Sequence, residues 1–90
     1  MSEVIQVDIV TPEKKIFSEN NVLSVNVPGI EGDLEILNNH IPIITFLKPG
    51  RINIEVEGSK KSFFISDGVL EFNSNVLTIL VSEIFDTMAI

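Results

Sequence analysis

Residues 25–54 read VNVPGIEGDLEILNNHIPIITFLKPGRINI and carry the strongest fold signal in the chain. A Pro-Gly, a Glu-Gly, an Asn-Asn and a second Pro-Gly pair separate short apolar runs within this stretch. Such pairs mark turns because glycine reaches positive φ and proline fixes φ. Short apolar runs between frequent turns are typical of β-strands. The stretch therefore predicts several short strands joined by tight turns.

A period of two residues in hydrophobicity runs through most apolar segments. In residues 51–57, Ile or Val at every second position alternates with Asn or Glu, which predicts one face on a core and one in solvent. Residues 41–47 are apolar on both faces and predict a central or covered strand. Residues 18–21 are polar and predict a turn. The predicted strands are residues 4–10, 14–17, 22–27, 34–37, 41–47, 51–57, 61–65, 69–72 and 76–81.

The number and spacing of these strands indicate the fold class. Short strands at intervals of about 8–12 residues are expected in an all-β sandwich or barrel. We therefore predict an all-β fold, a small sandwich of about ten short antiparallel strands in two sheets. The 90 residues correspond to one domain. We place the sandwich at residues 1–82 and a C-terminal tail at residues 83–90, where residues 86–89 could begin a helix or fray.

The chain is acidic, and this limits its partners. It has 6 Lys and Arg residues against 13 Asp and Glu, a formal net charge of −7, and no cysteine. Nucleic acids and anionic lipids bind clustered basic residues, so both are disfavoured as direct partners. No apolar run approaches the about 20 residues of a membrane-spanning helix, and the N-terminus lacks the features of a signal peptide. We expect any membrane association to go through another protein.

His40 is the only histidine, and it precedes Ile41 and Pro42. A catalytic histidine needs a nucleophile or a second acid–base group beside it, and the sequence contains no nucleophile motif. The glycines match neither of the common phosphate-binding patterns. We therefore interpret His40 as a structural or interface residue, and we predict no catalytic residue, no cofactor, no metal site and no ATP site.

Three carboxylates, Glu31, Asp33 and Glu35, lie close together in the central stretch. They lack the spacing of an EF-hand, which disfavours a calcium site. Solvated loop carboxylates and electrostatic docking onto a basic loop remain as alternatives from the residues alone. The apolar residues of segment 41–47 allow two interpretations: they are mostly core, or one face of the strand is left exposed and forms an interaction patch.

Five short motifs follow one another along residues 17–72. They are Phe17-Ser18, Val27-Pro28-Gly29-x-Glu31-Gly32-Asp33, Ile36-Leu37-x-x-His40-x-Pro42, Leu47-Lys48-Pro49-Gly50 and Phe64-Ile65-x-Asp67-Gly68-Val69-Leu70-Glu71-Phe72. Their shared order and spacing resemble the epsilon subunit of F-type ATP synthases, which is called delta in mitochondria. The resemblance covers roughly residues 7–81. One departure is Ser66-Asp67-Gly68, where a small-Gly-Gly turn is common in that family.

The resemblance implies a fold and a first interface. In that family a ten-stranded β-sandwich precedes a helical hairpin, and the sandwich binds the foot of the gamma subunit and sits on the c-ring. The acid of the Glu-Gly-acid turn contacts the polar loops of the c-ring. This implies a c-ring interface at Glu31, Gly32 and Asp33, with Asp33 as the key acid.

The resemblance also implies a second interface and a function. The histidine region meets gamma in that family, which implies a gamma interface at His40, Ile41 and Pro42. The implied function is that of a non-catalytic rotor subunit of the central stalk, which couples proton or sodium translocation to ATP synthesis and touches the catalytic head indirectly. The sequence ends where the hairpin would begin. We therefore expect that this chain does not inhibit ATP hydrolysis through such a hairpin and does not bind ATP through it.

The implied location is the cytoplasmic face of the bacterial inner membrane, with the stromal face of the plastid thylakoid as the alternative. Two other classes of function are weighed against this one. A free-standing sandwich that binds peptide or carbohydrate would need an exposed groove, usually lined with Trp or Tyr, and the sequence has neither residue. A small hydrolase or metal enzyme is disfavoured by the single histidine and the absence of cysteine.

Overall fold

Nine β-strands account for the regular structure of residues 4–86, the part of the chain that this computed structural model describes. Over that range the chain is all-β, as predicted, and it forms no helix long and apolar enough to cross a membrane. The strands are β1 Ile5–Val10, β2 Lys15–Gly29, β3 Gly32–Ile36, β4 Ile43–Leu47, β5 Gly50–Val56, β6 Ser59–Ile65, β7 Gly68–Asn73, β8 Val76–Val81 and β9 Ile84–Asp86.

The longest strand, β2, joins the two layers of the sandwich. Its first half pairs antiparallel with β1, its middle pairs with β5, and its last five residues pair with β3. At its end, Gly29 also pairs with Leu47 of β4. One layer holds β4, β7, β8 and β1, the other holds β5, β6 and β9, and β2 pairs with strands of both. The two predicted sheets therefore form one continuous hydrogen-bonded network.

β1 and β8 lie side by side in parallel, with Gln6 opposite Val76 and Val10 opposite Leu80. This corrects the prediction that all strand pairs are antiparallel. Parallel neighbours cannot be joined by a hairpin and need a long connection. Six strands separate β1 from β8 along the chain, so the pairing is set by distant contacts that local alternation does not reveal.

The predicted turn at residues 18–21 is wrong, because this segment lies inside β2. Its polar residues are in a strand because their backbone pairs with β1, with Ser18 opposite Asp8. The Ser18 hydroxyl also donates a hydrogen bond to the Asp8 carboxylate at 2.6 Å. Pro28 and Gly29 likewise remain in β2, and the chain reverses two residues later. Backbone pairing has overridden local turn propensity at both places.

β9 extends the strand structure beyond residue 82, where the predicted sandwich ended. Phe63, Phe64 and Ile65 of β6 pair with its three residues. The Ser66 N–H donates to the carbonyl oxygen of Glu83 at 3.1 Å, which holds the segment before β9 in place. Residues 87–90, which include most of the segment that could begin a helix, lie outside the described residues.

The core is entirely apolar within residues 4–86. Its buried side chains come from both layers and follow the period-two pattern, and no polar or charged side chain is buried among them. Burying each large aliphatic side chain contributes roughly 1.5–3 kcal/mol relative to exposure. The core consists of Ile5, Val7, Ile9, Val22, Val25, Val27, Ile36, Leu47, Ile52, Ile54, Phe63, Ile65, Leu70, Phe72, Leu77, Ile79 and Val81.

Gly68 begins β7 at a point where two strands approach closely. It pairs with Val81 of β8. A Cβ atom at this position would overlap the carbonyl oxygen of Leu80 and would come within 2.9 Å of Cγ1 of Val81. The final glycine of the Ser66-Asp67-Gly68 turn is therefore required by space, because the strand behind it cannot move without disturbing its own pairing.

We expect Gly68→Ala to lower the free energy of unfolding by about 2–3 kcal/mol, because the added methyl group overpacks a strand contact. Urea denaturation measures this change. Ser59→Ala, on an exposed residue of β6, serves as the control and should shift stability by no more than about 0.5 kcal/mol. Equal stability of the two variants would show that β7 and β8 lie farther apart at Gly68 than they do in this structure.

Candidate interaction surfaces

An apolar surface covers the outer side of one layer. Cross-strand partners align Phe46 of β4, Val69 of β7, Leu80 of β8 and Val10 of β1 in one row. The buried residues of these strands occupy the alternate positions, so this row points away from the core. We call this row, together with Ile44 of β4, the outer apolar face.

Large side chains on the outer apolar face are open to solvent. Ile44 is 72% exposed, Phe46 64% and Leu80 47%. Exposed apolar residues that lie in contiguous rows mark interaction sites more often than scattered ones do. Of the two interpretations of residues 41–47, the structure therefore favours an interaction patch for the side of β4 that carries Ile44 and Phe46.

The predicted c-ring residues lie at the tip of the hairpin between β2 and β3. Glu31, Gly32 and Asp33 are all exposed there. Gly29 pairs with Gly32, so Ile30 and Glu31 form the two-residue turn. Gly32 has a φ of 135°, a conformation that favours glycine and places the two carboxylates on either side of it.

Backbone hydrogen bonds hold this acidic turn against the C-terminal end of β4. The Ile30 N–H donates to the Phe46 carbonyl oxygen at 3.0 Å, and the Lys48 N–H donates to the Pro28 carbonyl oxygen at 2.9 Å. A cavity of about 270 Å³ separates the turn from Thr45 on the inward side of β4. Within residues 4–86 no cluster of three side chains could hold a metal ion.

The predicted gamma-interface residues lie at the opposite end of β4, but they do not all face outward. The His40 ring packs edge-on against buried Phe72, with 6.0 Å between ring centroids. Its Nδ1 donates a hydrogen bond to the Ile41 carbonyl oxygen at 2.7 Å. Ile41 is 73% exposed and Pro42 is also exposed. Ile41 and Pro42 are therefore open to solvent, whereas His40 covers the end of the core.

Asn75, in the turn between β7 and β8, fastens the loop that carries these residues. Its side-chain oxygen accepts a hydrogen bond from the Asn39 N–H at 2.7 Å. Its carbonyl oxygen accepts one from the Gln6 N–H at 3.0 Å. Asn75 and Asn39 both have positive φ, which asparagine tolerates better than most residues. The loop and the start of β1 therefore share one anchor.

The other layer carries a second, smaller apolar group. Phe64 of β6 and Phe85 of β9 are cross-strand partners and are 42% and 57% exposed. The Arg51 guanidinium lies 5.6 Å from the centroid of the Phe64 ring. This stacking covers part of one ring, so the group is smaller and more polar than the outer apolar face.

The sequence left open whether one face of residues 41–47 is exposed, and it does not show that Val10, Val69 and Leu80 join Ile44 and Phe46. A signal was present in residues 76–81, where both faces of the strand are apolar. What the sequence does not show is register, because the pairing of β4 with β7 joins residues about 25 positions apart. Only that register brings the outward residues of the strands into one row.

A small β-sandwich with one exposed apolar face and an acidic turn beside it defines an interaction domain. Residues 4–87 match the family described as ATP synthase, Delta/Epsilon chain, beta-sandwich domain, and the chain belongs to that family. It is 44% identical over 86 residues to the ATP synthase epsilon chain of Pelagibacter ubique (strain HTCC1062), and 39% identical over 83 residues to that of Maricaulis maris (strain MCS10).

These alignments cover 96% and 92% of this chain, and the chain spans only 66% and 62% of the length of the two relatives. Solved structures share the fold. A chain in the Euglena gracilis mitochondrial ATP synthase structure (OSCP/F1/c-ring, rotational state 1) superposes with a TM-score of 0.86 at 25% identity, covering 96% of this chain and 54% of that one. A chain in the Tetrahymena thermophila mitochondrial ATP synthase central stalk/c-ring structure superposes with a TM-score of 0.78 at 23% identity, covering 94% of this chain and 68% of that one.

The Asn75 anchor leads to a prediction about the loop before β4. Asn75→Gly keeps the positive φ but removes the side-chain acceptor, so the Asn39 amide should exchange its hydrogen about three to ten times faster. Exchange followed by NMR measures this. The Gln6 amide is an internal control, because its acceptor is the backbone oxygen that remains. Unchanged exchange at Asn39 would show that the loop is held by other contacts.

Proposed function

We propose that this chain is a non-catalytic central-stalk subunit of an F-type ATP synthase, which docks the gamma subunit onto the c-ring and couples ion translocation to ATP synthesis. Family membership supports the complex. The observation that carries the assignment is the outer apolar face, whose exposed Ile44, Phe46 and Leu80 come from strands of one layer. A chain whose role is to be held between partners needs such a surface and needs no reactive group.

Gamma is assigned to the outer apolar face and to the adjoining residues Ile41 and Pro42. Ile41 and Pro42 directly precede β4 in the chain, and they are exposed like Ile44 and Phe46. Apolar side chains that are exposed in the free chain gain free energy when a partner covers them, at about 25 cal/mol per Å². His40 supports this surface from beneath through its contact with Phe72.

The c-ring is assigned to the acidic turn at Glu31, Gly32 and Asp33. Exposed carboxylates on a rigid hairpin can pair with basic residues of a partner loop, which fixes the register of docking. The hydrogen bond from Ile30 to Phe46 ties this turn directly to β4. Because β4 has five residues, about 15 Å separate its two ends, so both proposed interfaces are within one strand length of each other.

The proposed location follows from the proposed complex. The related epsilon chains come from the bacteria Pelagibacter ubique and Maricaulis maris, which supports a peripheral position on a bacterial inner membrane, on its cytoplasmic face. The net charge of −7 disfavours direct binding to anionic lipid, so the membrane contact goes through the partner subunits.

Phe46→Asp tests the gamma assignment. Phe46 is 64% exposed, so the substitution should leave the thermal unfolding of the chain nearly unchanged. It should weaken binding to the matched gamma subunit by at least about 2 kcal/mol, because it removes a large exposed aromatic contact and buries a charge. Isothermal titration calorimetry measures the affinity.

Phe85→Asp provides the matched control on the other layer, since Phe85 is 57% exposed and lies outside the outer apolar face. It should bind gamma like the unmodified chain. If Phe85→Asp abolished binding and Phe46→Asp did not, gamma would have been assigned to the wrong layer.

Asp33→Lys tests the c-ring assignment. The exposed position should tolerate the change within about 0.5 kcal/mol of stability. Reversing the charge should weaken docking on a basic partner loop, and ATP-driven proton pumping in membrane vesicles should fall relative to ATP hydrolysis. Glu57→Lys, at the exposed end of the β5–β6 hairpin, is the control. Pumping at the normal level in the Asp33 variant would argue against this contact.

A further inference from the structure

The outer apolar face is interrupted by the carboxylate of Glu71. Glu71 lies on β7, with Ile44 of β4 opposite it on one side and Thr78 of β8 on the other. It is the only charged residue in β4, β7 and β8, all of whose residues are described. Its outward neighbour two residues earlier on the same strand is Val69.

Glu71 has no ion-pair partner among the described residues. The nearest acidic residue in the same cross-strand row is Asp8 of β1, which follows Thr78. Asp8 is compensated within the chain, because it accepts a hydrogen bond from Ser18 at 2.6 Å and lies 3.8 Å from Lys15 Nζ. Glu71 is exposed and relies on water. If a partner covers this surface, Glu71 therefore needs a new hydrogen-bonding or charged partner, whereas Asp8 already has one within the chain.

Covering the outer apolar face would remove that water. A carboxylate buried without a partner is strongly unfavourable, and one buried against a hydrogen-bonded cation is tolerated. Among the side chains next to Glu71, Ile44 and Val69 have no donor, and the Thr78 hydroxyl can donate one hydrogen bond but carries no charge. The compensating positive charge must therefore come from the molecule that docks here. We infer that the partner on this face places an arginine or lysine side chain against Glu71, and that this ion pair fixes the position and rotation of the partner.

This inference rests on the proposed function, in which gamma is the partner, and it adds a chemical requirement on gamma's surface. The apolar row alone is a poor guide to register, because sliding along it exchanges one aliphatic contact for another. A charge among these apolar residues makes every misaligned position less favourable, because misalignment leaves the charge without its partner. Arginine suits the site well, since its planar guanidinium pairs with a carboxylate through two hydrogen bonds.

The test measures the affinity of the full chain for the matched gamma subunit by calorimetry. Glu71→Gln keeps the shape and removes the charge, and it should weaken binding at least about tenfold, because it leaves the cation of gamma unpaired. Glu71→Lys should weaken binding at least about a hundredfold. The affinity of the unmodified chain should also fall more steeply with salt concentration than that of Glu71→Gln.

Glu55→Gln and Glu55→Lys are the matched controls. Glu55 is an exposed glutamate near the end of β5, in the other layer, so both variants should bind gamma within about threefold of the unmodified chain. Thermal unfolding of all four variants confirms that each is folded before its affinity is interpreted.

The outcomes separate this inference from the function on which it rests. If the unmodified chain binds gamma, Phe46→Asp does not, and both Glu71 variants bind normally, gamma covers the face but leaves Glu71 in water, and the ion pair is overturned. Tighter binding by Glu71→Lys would overturn it as well. If the unmodified chain does not bind gamma at all, the proposed function fails and this inference fails with it.

Discussion

The backbone pairing of β2 is the constraint on which the rest of the structure depends. This one strand of 15 residues pairs with β1, β5, β3 and β4 in succession, so it fixes the position of both layers. A register shift between Val22 and Ser24 lets it turn from one set of partners to the next while Val22 and Val25 both stay buried. Because β2 ends at Gly29, the acidic turn has to emerge beside β4.

Once β2 has set the layers, side-chain alternation decides which residues face a partner. On β5 the outward positions are Arg51, Asn53 and Glu55, which water solvates well. On β4 the outward positions are Ile44 and Phe46, whose apolar side chains are poorly solvated by water. Both strands are equally regular, so the difference does not come from folding requirements. Exposed Ile and Phe add nothing to the core, and the larger exposed apolar surface on the layer of β4 fits a surface that the proposed partner covers.

Much of the fold could be predicted because the information is local. The alternation in residues 51–57 matches β5, where Ile52 and Ile54 are buried. The polar segment 18–21 and the parallel pairing of β1 with β8 could not be predicted, since each depends on a partner strand distant in sequence. The acidic turn was predictable from its glycine, whereas the inward packing of His40 on Phe72 depends on the β4–β7 register.

The geometry also fits a domain that transmits force in the proposed stalk. The acidic turn, β4 and the loop at residues 37–42 form one continuous path, fastened at one end by the bond from Ile30 to Phe46 and at the other by Asn75. On its inward side β4 contributes Leu47 to the apolar core, and the cavity of about 270 Å³ lies beside Thr45. Close-packed apolar cores have low compressibility, so displacement at one end of β4 is passed to the other with little loss. We therefore attribute the proposed transmission of force between two moving partners to the stiffness of β4 and of the core against which it packs.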